Sequence, residues 1–101
     1  MGGGGQMRTY KLGRPVHIGR RRISKLKFRR INDKLLNLAE QLRAGLAERN
    51  CDSIQCAVAT VAFAADLPLN VVSVLSADDL VGALEEWTDA IATYSVEGAR
   101  G

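Results

Sequence analysis

Residues 9–30 read TYKLGRPVHIGRRRISKLKFRR, and this stretch decides the fold. Tyr10, Leu12, Val16 and Ile18 share one parity, the period-two pattern of a strand with one buried face. Gly13, Arg14 and Pro15 interrupt it, and Pro15 has no N–H to give a ladder, so this strand is bent or lies at an edge. A turn at Gly19, Arg20, Arg21 and Arg22 leads to a second run. There Ser24, Leu26 and Phe28 face one way, and Lys25, Lys27 and Arg29 face the other. Two such runs with a short glycine-containing connection predict a β-hairpin, apolar on one face and cationic on the other.

The period changes near Ile31. Asn32 or Asp33 can cap a helix there, and Leu35, Leu38, Leu42 and Leu46 recur at helical spacing, widened by Leu36 and Ala39. This helix is expected to end near Asn50. Asp52 or Ser53 can cap the next, whose apolar residues Ile54, Ala57, Val58, Val61 and Ala65, with Ala62 and Phe63, leave little polar surface. A helix apolar all round is either the centre of the core or a contact with a partner. Pro68 opens a short helix carrying Leu69, Val72 and Leu75. Ser76 can cap a last helix with Asp79 answering from the third position, followed by Leu80, Leu84, Trp87, Ile91 and Tyr94. That helix is expected to fade near Tyr94.

The expected fold class is therefore α+β: an N-terminal β-hairpin followed by a small bundle of three to four α-helices. The expected organisation is a flexible glycine-rich leader over 1–8, a single domain over 9–95 (hairpin 9–30, helical body 31–95) and a loose tail over 96–101. The leader holds four consecutive glycines, with Met7 as a second candidate start, and lacks the apolar segment of a signal peptide. Leu35, Leu42, Val58, Phe63, Leu84 and Trp87 are the expected core, some of it shared with a partner.

Charge is unevenly placed. The 101 residues carry 14 Lys and Arg against 11 Asp and Glu. Residues 1–34 hold 11 bases and one acid, Asp33, for +10; residues 35–101 hold three bases and ten acids, for −7. A basic hairpin is joined to an acidic helical body.

The catalytic inventory is thin. His17 is the one histidine, so no histidine-based metal cluster can form. Cys51 and Cys56 have no second pair to complete a zinc site and read as small buried apolar residues in a reducing cytosol. Asp78 and Asp79 read as a cap, and Glu85 and Glu86 as a solvated face. No run approaches the roughly 20 apolar residues needed to cross a bilayer. These readings point to a binding protein with no catalytic, cofactor or metal residues.

The order of elements resembles a known family. Tyr10, Lys11, Leu12, Gly13, Arg14, Pro15 and Val16, a turn at Gly19, then Ile23, Ser24, Lys25, Leu26, Lys27, Phe28, Arg29 and Arg30 are similar to the opening hairpin of tail assembly chaperones of long-tailed bacteriophages. The second half is similar too: an apolar helix, then Ala64, Ala65, Asp66, Leu67 and Pro68 leading to Val71 and Val72, then Leu75, Ser76, Ala77, Asp78, Asp79 and Leu80. The resemblance spans about residues 9–94. It departs at the Arg20, Arg21, Arg22 turn, where the family has a neutral or acidic tip, and at Ile31 and Asn32, in place of a Glu-Pro-like step.

The resemblance implies a protein of the infected host's cytoplasm, absent from the finished virion, that binds the tape-measure protein, the tail-tube protein or both. Arg20, Arg21, Arg22, Lys25 and Lys27 are the expected electrostatic contacts, and Val58, Val61, Phe63 and Trp87 the expected apolar ones. The dipolar charge also suits a homo-oligomer. Two alternatives stand beside this reading: a small basic nucleic-acid-binding protein using the same hairpin, and a structural tail or connector subunit of the virion.

Overall fold

The computed structural model describes residues 8–100, with side chains described as far as Val96. The chain is α+β. Strands β1 (Thr9–Ile18) and β2 (Arg21–Lys27) form an antiparallel hairpin, followed by helices α1 (Asp33–Glu48), α2 (Ser53–Ala65), α3 (Leu69–Val72) and α4 (Ala77–Arg100). Apart from Arg8, the expected leader lies outside the described residues.

The hairpin turns tighter than the sequence suggests. Ile18 pairs with Arg21, so only Gly19 and Arg20 are left in the loop, and Arg21 and Arg22 belong to β2. Gly19 takes φ +60, the left-handed value that a two-residue hairpin turn of type II′ requires at its first position. Between the pairs Lys11–Lys25 and Val16–Ile23, the four residues 12–15 of β1 stand opposite Ser24 alone. This four-against-one bulge is the physical form of the Gly13, Arg14, Pro15 interruption.

The helices begin where the side chains dictate. The Asn32 side chain accepts the Leu35 N–H at 2.8 Å, capping α1. Asp52 and Gln55 form a reciprocal capping box on α2. Two left-handed residues, Asn50 (φ 54) and Asp66 (φ 55), reverse the chain after α1 and α2. The last helix does not fade at Tyr94. Its backbone runs on to Arg100, so the loose tail expected over 96–101 is helical through that residue. No proline follows Tyr94 to stop it, and Gly98 only weakens a helix.

Packing proceeds outward from α2 and α4: β1 lies against α4, α2 packs on α4, and α1 and α3 pack on α2. The core joins Leu26 and Phe28 of the hairpin to Val61 and Ala64 of α2, Val72 of α3, and Ala83 and Trp87 of α4. Trp87 sits between two rings, 5.8 Å from Phe28 and 6.5 Å from Phe63 in an edge-to-face arrangement. Each fully buried large side chain contributes about 1.5–3 kcal/mol, which makes the hairpin's inner face inseparable from the helical body.

Of the expected core, Leu35 and Trp87 are buried, while Leu42, Val58, Phe63 and Leu84 are half-buried. α1 is peripheral: Leu35 is its buried residue and Leu38 is exposed. Cys51 and Cys56 are free thiols, half-buried at the start of α2, where Cys56 Sγ donates to the Cys51 carbonyl at 3.6 Å. No described helix is long and apolar enough to cross a membrane.

Candidate partner-binding surface

The hairpin is held to α4 at two points. At the near end, the Arg8 guanidinium donates to Asp89 at 2.6 Å and to Glu86 at 3.1 Å. The hydrogen bond to Asp89, and after burial's opposing effect that to Glu86, raise the Arg8 pKa above its ordinary value. At the bulge, Asp79 is buried, with 3% of its surface exposed, and its carboxylate accepts the backbone N–H of Gly13 at 2.7 Å and of Arg14 at 3.0 Å. The Tyr10 hydroxyl adds a longer bond at 3.4 Å. Burial alone would push the Asp79 carboxyl up. The Gly13 and Arg14 amides, with Ser76 and Tyr10, outweigh it and hold the carboxyl below its usual range.

Asp79 is the residue that sequence reasoning misassigned. Ser76 Oγ does accept the Asp79 N–H at 3.2 Å, as a cap should. The shortest hydrogen bonds of the Asp79 side chain, however, leave its own helix and cross to Gly13 and Arg14 of β1. Tyr10 follows the same path and lies against Gly82, where an added Cβ would stand 2.6 Å from the ring carbon Cζ. Burial raises the Tyr10 pKa, and the nearby Asp79 charge adds to it. The signal available in the sequence was an acid and a glycine on one helix face, which spacing alone does not connect to a strand.

With its inner face seated, the hairpin turns its other face to solvent. Pairing sets Lys11 opposite Lys25, His17 opposite Arg22 and Thr9 opposite Lys27, all exposed. Arg20 and Arg21 are exposed at the tip. Arg8 pairs with Glu86 and Asp89, Arg29 with Asp66, and Arg43 with Glu40; among the described residues no ion pair involves Lys11, Arg20, Arg21, Arg22, Lys25 or Lys27. Like charges directly across a strand pair repel. All five expected cationic contacts are thus exposed on the hairpin, with Arg21 and Arg22, consecutive in β2, pointing to opposite faces, and none has an ion-pair partner among the described residues. Beside them, an open cleft of about 410 Å³ brings Arg14 and His17 next to Pro15, Ile18 and Val74.

The expected apolar contacts fare differently. Val61 is wholly buried and Trp87 is 2% exposed, so neither side chain is available to a partner. The apolar circumference of α2 is used by the core, because α1, α3 and α4 all pack on it. Phe63 is half-buried, with its ring edge on Trp87 and the Arg29 guanidinium 4.9 Å above its centroid. Val58 is half-buried, and Ile54, one turn earlier, is exposed. The apolar partner surface of α2 shrinks to this N-terminal strip.

No group of three or more His, Cys, Asp or Glu side chains that could hold a metal ion occurs among the described residues. No family model, curated protein or solved structure matches the chain.

Proposed function

We propose that this chain is a binding protein without catalytic function, and that it serves as a tail assembly chaperone of a long-tailed phage. In this reading it holds the tape-measure protein, the tail-tube protein or both in the host cytoplasm until the tube forms. The observation that carries the reading is the hairpin: a two-stranded sheet with its inner face locked to α2 and α4 and its outer face cationic and without counter-charge. Holding unpaired like charges together is a cost to the free molecule that an acidic partner removes.

Nucleic acid would draw on the same cations. It is disfavoured by the lack of rings on that face, because Phe28 is 1% exposed in the core and Tyr10 lies against Gly82. Affinity capture with the tagged chain from phage-producing cells, after nuclease treatment and at two salt concentrations, tests the proposal. Recovery of a very long helical protein at both salts is the expected result. Recovery of nucleic acid alone, lost at high salt, would overturn it, and the presence of the chain in purified virions would favour a structural subunit.

A further inference from the structure

Among the described residues, no strand pairs with β2 on its outer side. The sheet ends with it, since its order among the described residues is β1 then β2 with no third strand. Which of its backbone groups are open can be worked out. The Phe28 N–H donates to the Arg8 carbonyl at 2.9 Å, across the pair next to Thr9–Lys27. In an antiparallel ladder, bonded and non-bonded pairs alternate. Leu26, opposite Tyr10, therefore points its amide at β1, and Lys25 and Lys27 point theirs outward. Arg29 follows the same parity, and its outward N–H is taken by the Ala64 carbonyl of α2 at 2.8 Å. Helix α2 thus covers one end of the edge and leaves Lys25 and Lys27 uncovered.

We infer that this edge accepts an extended, acidic segment of a partner protein as a third strand. Backbone groups at Lys25 and Lys27 would supply the ladder, and the cationic side chains of Lys25 and Lys27, which share a face, would lie beside the acidic side chains of the added strand. Lysines on an edge ordinarily prevent strand addition. Here they make it selective: a neutral or basic strand, including β2 of a second copy, meets repulsion or an unrelieved charge, whereas an acidic one neutralises it. The cationic face holds no acid of its own between Thr9 and Lys27 to compete. The inference rests on the reading of the hairpin as a protein-binding surface and specifies the partner's recognition element.

The test uses the full chain and a synthetic ten-residue peptide in which acidic residues alternate with valine. Hydrogen exchange followed by NMR should show the Lys25 and Lys27 amides exchanging fast in the free protein. Peptide should slow them about tenfold or more, while Leu26 is already slow in both. Lys25→Pro, which removes an outward N–H at a position an edge strand tolerates, should weaken binding about tenfold. Lys25→Glu, which keeps every backbone group, should weaken it about three- to tenfold by turning an attractive cross-strand pair repulsive.

Binding that leaves the two amides unprotected overturns the inference, as does equal protection by a peptide alternating lysine with valine. Protection of the same amides by a single-stranded oligonucleotide that displaces the peptide also overturns it, in favour of nucleic acid. None of these measurements uses a phage protein. Edge protection together with failed capture from phage-producing cells would retire the phage reading and leave the edge standing; the reverse would retire the edge alone.

Discussion

Asp79→Asn is the sharpest probe of how the hairpin is seated. The carboxylate accepts two backbone amides of the β1 bulge, from Gly13 at 2.7 Å and Arg14 at 3.0 Å, one on each oxygen. Asparagine keeps the shape but offers a single acceptor oxygen, so its NH2 group must face one of the two N–H donors. One charge-assisted bond is lost and the other becomes neutral. With hydrogen bonds to charged groups worth about 1.5–3 kcal/mol, the expected destabilisation at pH 7 is about 2–3 kcal/mol. For a domain of this size that lowers Tm by roughly 10–20 °C.

The acid dependence follows from the same contacts. The folded chain holds the Asp79 carboxyl below its ordinary value, while the unfolded chain titrates near about 3.9. The proton-free form is therefore favoured by folding. Its contribution is fully present above the unfolded value and is lost as pH falls through the folded one. Urea unfolding followed by circular dichroism, run from pH 7 down to about pH 3, should show the gap between wild type and Asp79→Asn narrowing toward the acid end. A gap below about 0.5 kcal/mol at pH 7, or one that does not change with pH, would refute the assignment of Asp79 as the anchor of the bulge.

Two further substitutions separate packing from binding. Gly82→Ala replaces a mid-helix glycine, a change that elsewhere gains about 0.5–1 kcal/mol; here the new methyl meets the Tyr10 ring, and unfolding titrations should report a loss of about 1–3 kcal/mol. Trp87→Leu should cost about 2–4 kcal/mol in the same assay, because the side chain fills the space between Phe28 and Phe63; unchanged stability with weakened partner capture would mean that the ring serves a partner instead.

The hairpin and the helices were legible because each signal is local. Parity marks the strands, Asn32, Asp52 and Ser76 mark helix starts, and leucine spacing marks faces. What escaped depends on contacts far apart in sequence. Ala83 and Ala90 are buried, with Ala83 wholly so, yet alanine gives no strong periodic signal beside Leu80 and Leu84, which are only half-buried. Small residues admit the neighbouring element closely and push the leucines to the flanks. The apolar excess of α2 was visible; that three helices would consume it was not. For the cationic surface, Arg20, Arg21, Arg22, Lys25 and Lys27 were legible from strand parity and the turn. Their lack of ion-pair partners is set by the tertiary fold, in which Arg8 and Arg29, rather than these five, pair with acids of the helical body.

The anchors of the hairpin also set an order of events in the making of the molecule. Arg8, Gly13 and Arg14 take partners 65 to 81 residues further along the chain. Helix α4, which supplies all of them, follows every other described element in the chain and so is made after them. Until then the first-made strands have their bulge amides and cations open to whatever acidic surface is nearby, and closure over so long a loop is intrinsically slow. The hairpin is thus synthesised before its seat exists, and it docks only once α4 has been made.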